Sequence, residues 1–288
     1  MQSETLDPRL HPYKSDVAAK HLEGRVDSAR FVEGVLHRVC EPLTDMMSDE
    51  GGQTSMPQAR TSQALLGEAF MVYQTKEGWA WGQLLTDGYI GWVSAQALKP
   101  ANDQEPTHRV SSPLTRATNV SIKAIGDGPL PMGTQVYVSE PDIEVGGSSA
   151  PFMQTSAGAV PAAHLAPFDH KVPDWVAVAE QFLHTPYVWG GRSAMGIDCS
   201  ALIQLALQQD SIACPRDSDM QEKELGVSID RAQGLQRADL VFWPGHVGVL
   251  ADAERLLHAN AYAMATDIEP LANVETRIGA ARTIKRVF

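Results

Sequence analysis

The stretch GIDCSAL places one cysteine, Cys199, where a glycine-containing turn gives way to an apolar run at helical spacing. A cysteine attacks through its thiolate, and the backbone N–H groups and dipole of a helix N-terminus lower the pKa of a thiol. Asp198 or Ser200 can cap such a helix, and Gly196 permits a sharp turn into it. The same backbone amides can receive an oxyanion. The pattern therefore predicts nucleophilic chemistry at Cys199.

Two histidines follow, His246 and His258, within the stretch PGHVGVLADAERLLHAN. A thiol nucleophile needs an imidazole that takes up and returns its proton. If this stretch forms a hairpin centred on Asp252, the two histidines lie directly opposite each other, with Cβ atoms about 5 Å apart. One imidazole can then orient the other, as a third group does beside a Cys-His pair. We therefore predict a set of Cys199, His246 and His258.

Each of these residues also has a structural interpretation. A cysteine that opens an apolar helix is more often a small core residue than a nucleophile, and a histidine in a strand is usually structural. Cys40 and Cys214 lack a comparable setting and are interpreted as structural. The residues alone leave the two interpretations of Cys199 balanced.

The C-terminal part, residues 172–288, has the pattern of an α+β domain. DWVAVAEQFLHT predicts a helix that stops before Pro186. CSALIQLALQQD predicts a second helix with one apolar face formed by Ala201, Leu202, Leu205 and Ala206. Antiparallel strands are predicted in ADLVFW, HVGVLA, RLLHANA and ARTIKRVF.

The N-terminal part has a different texture. Residues 1–30 are mostly polar, and KSDVAAKHLEGR predicts a short helix there. From 31 to 105, EAFMVYQT, GWAWGQLL and YIGWVSAQAL predict strands of a small barrel, separated by KEG and TDG turns.

A second module is predicted by an internal repeat. LLGEAFMVY is similar to LPMGTQVYV, and GWVSAQALKP is similar to GAVPAAHLAP, in the same order. Two such matches in sequence favour a duplication, with the second copy over residues 106–168. APFDHKVPD then predicts a linker to the C-terminal domain.

Composition limits the partners. The formal charge of −12 argues against nucleic acid, and no stretch is long and apolar enough to span a bilayer. The three cysteines show no zinc-type spacing, so no metal is expected. A polar N-terminus without a signal-peptide pattern predicts the cytoplasm. The oligomeric state is left open.

The quoted motifs carry a family resemblance. TPYVWGGRSAMGIDCSALIQ, PRDSDMQ, ADLVFWPGHVGVL and LLHANA resemble the NlpC-type, papain-like cysteine peptidases of bacterial cell-wall metabolism. Where the family usually has glycine after Asp-Cys-Ser, this chain has Ala201. LDPRLHPYKSDVAAKHLEG and DGYIGWV resemble members with two SH3-like modules before the peptidase domain. The resemblance implies an α+β peptidase domain behind two small SH3-like β-barrels.

The same resemblance implies an activity and its residues. Such members cut murein peptides after γ-D-glutamate, before diaminopimelate or lysine, and require a free N-terminal L-Ala. No metal or organic cofactor is implied. By similarity Cys199 is the nucleophile, His246 the general base and His258 the orienting residue. The implied substrate contacts are Tyr89, Trp189, Asp198, Ser200, Asp217 and Ser218, with Glu68 as a candidate acidic contact.

Each substrate residue has a structural alternative, such as barrel core for Tyr89 or a helix cap for Asp217. Three functions therefore compete. The first is a cytoplasmic peptidase of murein recycling. The second is a wall-peptide-binding protein with an inactive peptidase domain, against which the intact Cys199, His246 and His258 argue. The third is an amidase or acyltransferase with the same Cys-His pair, because one fold hosts several chemistries.

Overall fold

The structure, a computed structural model, describes residues 6–48, 60–124, 126 and 128–287. They form two compact units. The first contains the described residues of 1–108, 116–130 and 134–163, and the second contains those of 109–115, 131–133 and 164–288. No helix in the described part of the chain is long and apolar enough to cross a bilayer.

Strands dominate the first unit. Up to residue 100 the described strands are β1 (Ala18–Ala19), β2 (Phe31–Val32), β3 (Val35–Val39), β4 (Leu43–Met47), β5 (Arg60–Leu65), β6 (Ala69–Lys76), β7 (Trp79–Leu84), β8 (Ile90–Ser94) and β9 (Leu98–Pro100). Strands β6, β7 and β8 confirm the three predicted from the short apolar runs. Glu77 and Gly78, in the predicted KEG turn, both have positive φ, which suits a tight connection.

Strands β3 to β9 build one sheet in the order β5-β4-β8-β7-β6-β3-β9, and β1 and β2 form a separate pair. The order is open, with β5 and β9 at its edges, and the described residues show no closed barrel. The small β-barrel predicted for this module is thus found in the described residues as an open sheet rather than as a closed barrel. Short apolar runs separated by turns predict strands that bury a face, and an open sheet buries a face as well as a closed one does.

The predicted helix in KSDVAAKHLEGR was also wrong. Ala18 and Ala19 form a short strand parallel to β2, and a 3-10 turn covers only Lys20–Leu22. Ala19 has φ −63° and ψ 142°, an extended conformation, and Glu23 closes the turn. Because Val17 to Ala19 and Leu22 are all buried, packing rather than helix propensity decides this segment.

Residues 106–168 repeat an element succession. The described strands are β10 (His108–Val110), β11 (Leu114–Arg116), β12 (Pro129–Pro131), β13 (Gln135–Val136), β14 (Val138–Ile143), β15 (Phe152–Thr155), β16 (Gly158–Pro161) and β17 (Leu165–Pro167). Strand β16, a 3-10 turn at Ala162–His164 and β17 follow each other as β8, the 3-10 turn Ala95–Ala97 and β9 do. The second SH3-like module over 106–168 stays a prediction.

The C-terminal elements are helices α1 (Trp175–Glu180), α2 (Cys199–Gln209), α3 (Ser218–Glu224) and α4 (Leu271–Ile278), a 3-10 turn at Arg231–Gln233, and strands β18 (Arg192–Ser193), β19 (Gly196–Ile197), β20 (Val227–Ser228), β21 (Asp239–Trp243), β22 (His246–Leu250), β23 (Arg255–Asn260), β24 (Ala265–Pro270) and β25 (Thr283–Arg286). The central sheet has the order β20-β25-β21-β22-β23-β24, and each described pairing in it is antiparallel. The α+β prediction holds for this part.

Helix α2 lies at the centre of this domain. It packs with α1 and with one face of the sheet, in a core that includes Phe182, Leu202, Val249 and Leu257. Its residues from Cys199 to Leu207 are all buried, including Gln204. The predicted single apolar face was therefore too narrow, because a helix surrounded by other elements is buried on all sides. Helix α1 ends at Glu180, earlier than predicted, with turns leading to Pro186.

Candidate active site

Cys199 is the first residue of α2, as predicted. Asp198 caps the helix in an extended conformation, and its Oδ1 accepts the backbone N–H of Ala201 at 2.8 Å. The backbone N–H of Gly190, which has a φ of 71°, donates to Oδ2 of Asp198 at 3.0 Å. A glycine suits that left-handed conformation. These two bonds hold the turn before the helix against its first residues.

A buried arginine completes this cap. Arg216 is 1% exposed, and its Nη1 and Nη2 donate to Oδ1 and Oδ2 of Asp198 at 3.0 and 2.6 Å. Nη1 also donates to Oγ of Ser200 at 2.9 Å. Gln221 of α3 donates to the carbonyl oxygen of Ser200 at 2.9 Å. Planar bidentate pairing satisfies a buried carboxylate, so Asp198 and Ser200 are parts of a structural network around the thiol.

The two predicted histidines do meet. Nε2 of His246, at the start of β22, lies 2.8 Å from Nδ1 of His258 on β23. The predicted register was nevertheless wrong. Val249 pairs with Leu257 and Leu250 with Leu256, so the hairpin is centred on residue 253 and the histidines are diagonal neighbours. Diagonal side chains on one face remain within reach when they are long or aromatic.

A carboxylate and an arginine continue this line. Nε2 of His258 lies 3.1 Å from Oε1 of Glu269 on β24. Both oxygens of Glu269 accept hydrogen bonds from Arg277 of α4, at 2.5 and 3.1 Å. The guanidinium of Arg277 lies over the ring of Tyr262, 4.1 Å from its centroid. His258 is 1% exposed, so its ring is fixed from both sides.

The protonation of the pair follows from burial. Burial, followed by the nearby Asp198 charge, raises the pKa of the Cys199 thiol to about 12. Burial and then the neighbouring His258 lower the pKa of His246 to about 3. Both effects favour the uncharged thiol beside the uncharged imidazole. The backbone N–H groups of Val247 and Ser200 hydrogen-bond the sulfur, which favours the thiolate once it forms.

Tyr187 belongs to this site as well. Burial, followed by the electrostatic influence of Cys199 and Asp198 beside it, raises the pKa of its phenol, so the hydroxyl keeps its proton and remains a donor. It lies in the quoted motif TPYVWGG but was not singled out from the sequence. Arg216, Glu269 and Arg277 were also missed. Arg216 lies in the motif PRDSDMQ, directly before Asp217, so the sequence contained a signal for it. Glu269 and Arg277 lie on a strand and a helix that were not predicted.

The other residues predicted to contact substrate lie at the start of α3, on the surface and in the N-terminal unit. Asp217 is the half-buried N-cap residue of α3, although its side chain makes no capping hydrogen bond, and half-buried Ser218 begins that helix. Trp189 is 63% exposed. Tyr89 and Glu68 belong to the other compact unit. There Tyr89 is buried, and Oε2 of Glu68 accepts the backbone N–H of Leu65 at 2.8 Å. Substrate contacts by these residues stay predictions.

Family profiles match two parts of the chain. The profile of the NlpC/P60 family matches residues 184–277, which contain the cysteine, both histidines, Glu269 and Arg277. The profile of the bacterial dipeptidyl-peptidase SH3 domain matches residues 56–98. One SH3 domain is thus identified, rather than the two expected.

Curated relatives agree with these domains. The γ-D-glutamyl-L-lysine dipeptidyl-peptidase of Bacillus cereus is 26% identical over 255 residues, which cover 77% of this chain and 74% of that protein. Dipeptidyl-peptidase 6 of Lysinibacillus sphaericus is 38% identical over 89 residues, or 30% of this chain. The chain spans 31% of the length of that second relative.

A solved structure shows the same fold. The crystal structure of an NlpC/P60 family protein from Bacillus cereus superposes with a TM-score of 0.71, covering 88% of this chain and 99% of that one, at 18% identity. The matches together support a peptidase hydrolase. The chain carries an NlpC/P60 domain and, before it, a bacterial SH3 domain, and it is homologous to γ-D-glutamyl-L-lysine dipeptidyl-peptidases.

Proposed function

We propose that the chain is a cysteine peptidase that hydrolyses the bond between γ-D-glutamate and a diamino acid in murein peptides with a free N-terminal L-Ala. The observation that carries this proposal is the line of contacts around one helix start. Cys199 opens α2, the amide after His246 reaches its sulfur, and His246 is bonded to His258. A nucleophile, a base and a group that orients the base are the parts that acyl transfer needs.

The first step forms a thioester. His246 takes the thiol proton of Cys199 as the sulfur attacks the carbonyl carbon of the γ-glutamyl amide. The carbonyl π electrons move to oxygen, which becomes an oxyanion. As this intermediate collapses, the C–N bond breaks and the imidazolium of His246 gives its proton to the departing amine. The diamino acid leaves with a free amine, and L-Ala-γ-D-Glu stays bound to sulfur.

The oxyanion needs preorganised donors. The hydroxyl of Tyr187 and the backbone N–H of Cys199 at the start of α2 are the donors that we assign to it. The fixed donors in this partly buried site need little reorganisation when the charge forms. In the second step water attacks the thioester, His246 takes a proton from that water, and the thiolate leaves and is reprotonated.

The free amino terminus of the substrate calls for an anionic partner. We assign that role to Asp217, because it matches the family's carboxylate in the motif PRDSD and Ser218 beside it offers a hydroxyl. Asp198 is a weaker choice, since Arg216 already pairs with both of its oxygens. A partly desolvated ammonium is stabilised by a charge-assisted hydrogen bond to a carboxylate. The cytoplasmic role in murein recycling is retained as a proposal on resemblance.

The test is cleavage of L-Ala-γ-D-Glu-meso-diaminopimelate and of its L-Lys counterpart, followed by mass spectrometry, beside the N-acetylated peptides. We expect L-Ala-γ-D-Glu from the free peptides only, no product with Cys199→Ala, and full activity with Cys214→Ala as the matched cysteine control. Asp217→Asn should weaken cleavage of the free peptide. Binding of the peptide without cleavage would favour the binding-protein alternative, and product only with an added amine acceptor would favour a transferase.

A further inference from the structure

The site contains a carboxylate that the two-step reaction above does not use. His246, His258 and Glu269 come from three neighbouring strands, β22, β23 and β24. Leu256 pairs with Glu269 and His258 with Asp267, so Glu269 is the diagonal neighbour of His258. The same diagonal step leads from His258 to His246. Three side chains thus form one hydrogen-bonded line across the sheet.

The ion pair at the end of this line sets the direction of its hydrogen bonds. Arg277 can only donate, and it donates to both oxygens of Glu269. The hydrogen bonds from Arg277 hold the pKa of Glu269 below its ordinary value, so the carboxyl is ionised and can only accept. Nε2 of His258, 3.1 Å from Oε1, must therefore carry a proton.

The tautomer of His258 then decides that of His246. Burial lowers the pKa of His258, so the ring is neutral and Nδ1 carries a lone pair. Nε2 of His246, 2.8 Å from that lone pair, must be the donor of their hydrogen bond. A neutral His246 that is protonated at Nε2 has its lone pair on Nδ1. That is the protonation state that a general base for the Cys199 thiol needs.

We propose that Glu269, held by Arg277, is a positioning residue that sets the tautomers of His258 and His246 and so keeps Nδ1 of His246 basic. This inference rests on the proposed function in assigning the general base to His246. Glu269 touches neither the substrate nor the thiol in this scheme. It acts through His258, as second-sphere partners do when they fix the tautomer and orientation of a histidine.

Removal of the carboxylate takes away the acceptor that fixes this line. Glu269→Leu leaves Arg277, which can only donate, at that end. A proton on Nε2 of His258 would then be buried without an acceptor, which costs free energy. Rings in which the proton of His258 lies on Nδ1 and is donated to Nε2 of His246 should therefore appear. The remaining proton of His246 then lies on Nδ1, and a base with the wrong tautomer cannot take up the thiol proton.

The experiment compares the wild type with Glu269→Leu by ¹⁵N NMR of the histidine rings and by hydrolysis of the free tripeptide. We expect His246 and His258 rings protonated at Nδ1 to appear in place of rings protonated at Nε2. We also expect kcat to fall by about 10- to 100-fold, with KM nearly unchanged, because substitution of a residue that orients a histidine typically costs that much. Glu222→Leu is the matched control, since Glu222 forms a comparable ion pair with Arg282 and hydrogen-bonds Thr283.

A substrate-independent readout separates this inference from the proposed activity. The NMR spectra need no substrate, so they test the tautomers even if the wild-type protein cleaves no tripeptide. Unchanged tautomers in Glu269→Leu would overturn the inference, and so would a kcat within threefold of the wild type. If Glu269→Leu fails to fold, Glu269→Gln tests the same line. Its carbonyl oxygen at the position of Oε1 can still accept from both Arg277 and His258, so the wild-type tautomers should remain, and rings protonated at Nδ1 in that variant would overturn the inference.

Discussion

We predict that the buried ion pair between Arg216 and Asp198 stabilises the C-terminal domain. In Arg216→Met the apolar chain length is kept and the guanidinium is lost. Asp198, 7% exposed, then remains as a buried carboxylate without its bidentate partner. Removing one partner of a buried ion pair costs about 3–5 kcal/mol. The amides of Ala201 and Gly190 still donate to this carboxylate, so we expect the lower end, about 3 kcal/mol.

Thermal unfolding measures this loss. For a protein of this size about 1 kcal/mol shifts Tm by roughly 2–4 °C, so Arg216→Met should lower Tm by about 6–12 °C. Arg282→Met is the matched control, because Arg282 pairs with Glu222 at the surface with 47% of its side chain exposed. That variant should unfold close to the wild type, since exposed pairs contribute little. Equal midpoints for the two variants would refute the reasoning about the buried pair.

Three further predictions concern the thiol, the oxyanion and a turn. Tyr187→Phe should lower kcat about 10²- to 10³-fold with little change in KM, measured by steady-state tripeptide hydrolysis; an unchanged kcat would remove the phenol from the oxyanion site. Burial raises the pKa of the Cys199 thiol to about 12, so only a small fraction is thiolate at neutral pH. The rate of its alkylation by iodoacetamide, followed by peptide mapping, should therefore rise about tenfold per pH unit from neutral to pH 10. A rate that reaches a plateau below pH 8 would contradict this. Gly67→Ala should lower the free energy of unfolding, measured by chemical denaturation, far more than Gly78→Ala. Both glycines have φ near +84°, but only a Cβ at position 67 would lie 2.0 Å from a backbone oxygen, that of Gln135. Equal losses of stability would contradict this steric explanation.

The parts of the fold that could be predicted have local signals. The cap at Asp198 followed by an apolar run located the start of α2, and short apolar runs located β6 to β8 and β21 to β23. Whether the N-terminal sheet closes could not be predicted, because such runs indicate strands with a buried face and not the pairing of the edge strands. Similarly, Ala18 and Ala19 are buried in a short strand and are therefore not part of the predicted helix.

The site was predicted in its identity but not in its geometry. The spacing of His246 and His258 located the pair, whereas the three-residue loop after Ala251 moved their register by two positions. Glu269 and Arg277 were out of reach, because Glu269 becomes relevant only through strand pairing and Arg277 only through the helix that follows it. Long-range pairing of this kind leaves no local pattern in the chain.

The nucleophile is the central claim, and trapping the acyl-enzyme tests it most directly. The protein is mixed with L-Ala-γ-D-Glu-meso-diaminopimelate, quenched in acid within one turnover, digested and mapped by mass spectrometry. We predict an L-Ala-γ-D-Glu group on the peptide that contains Cys199, held as a thioester that hydroxylamine removes. Product release with no acyl group on Cys199, or with the group on Cys214 instead, would contradict the account.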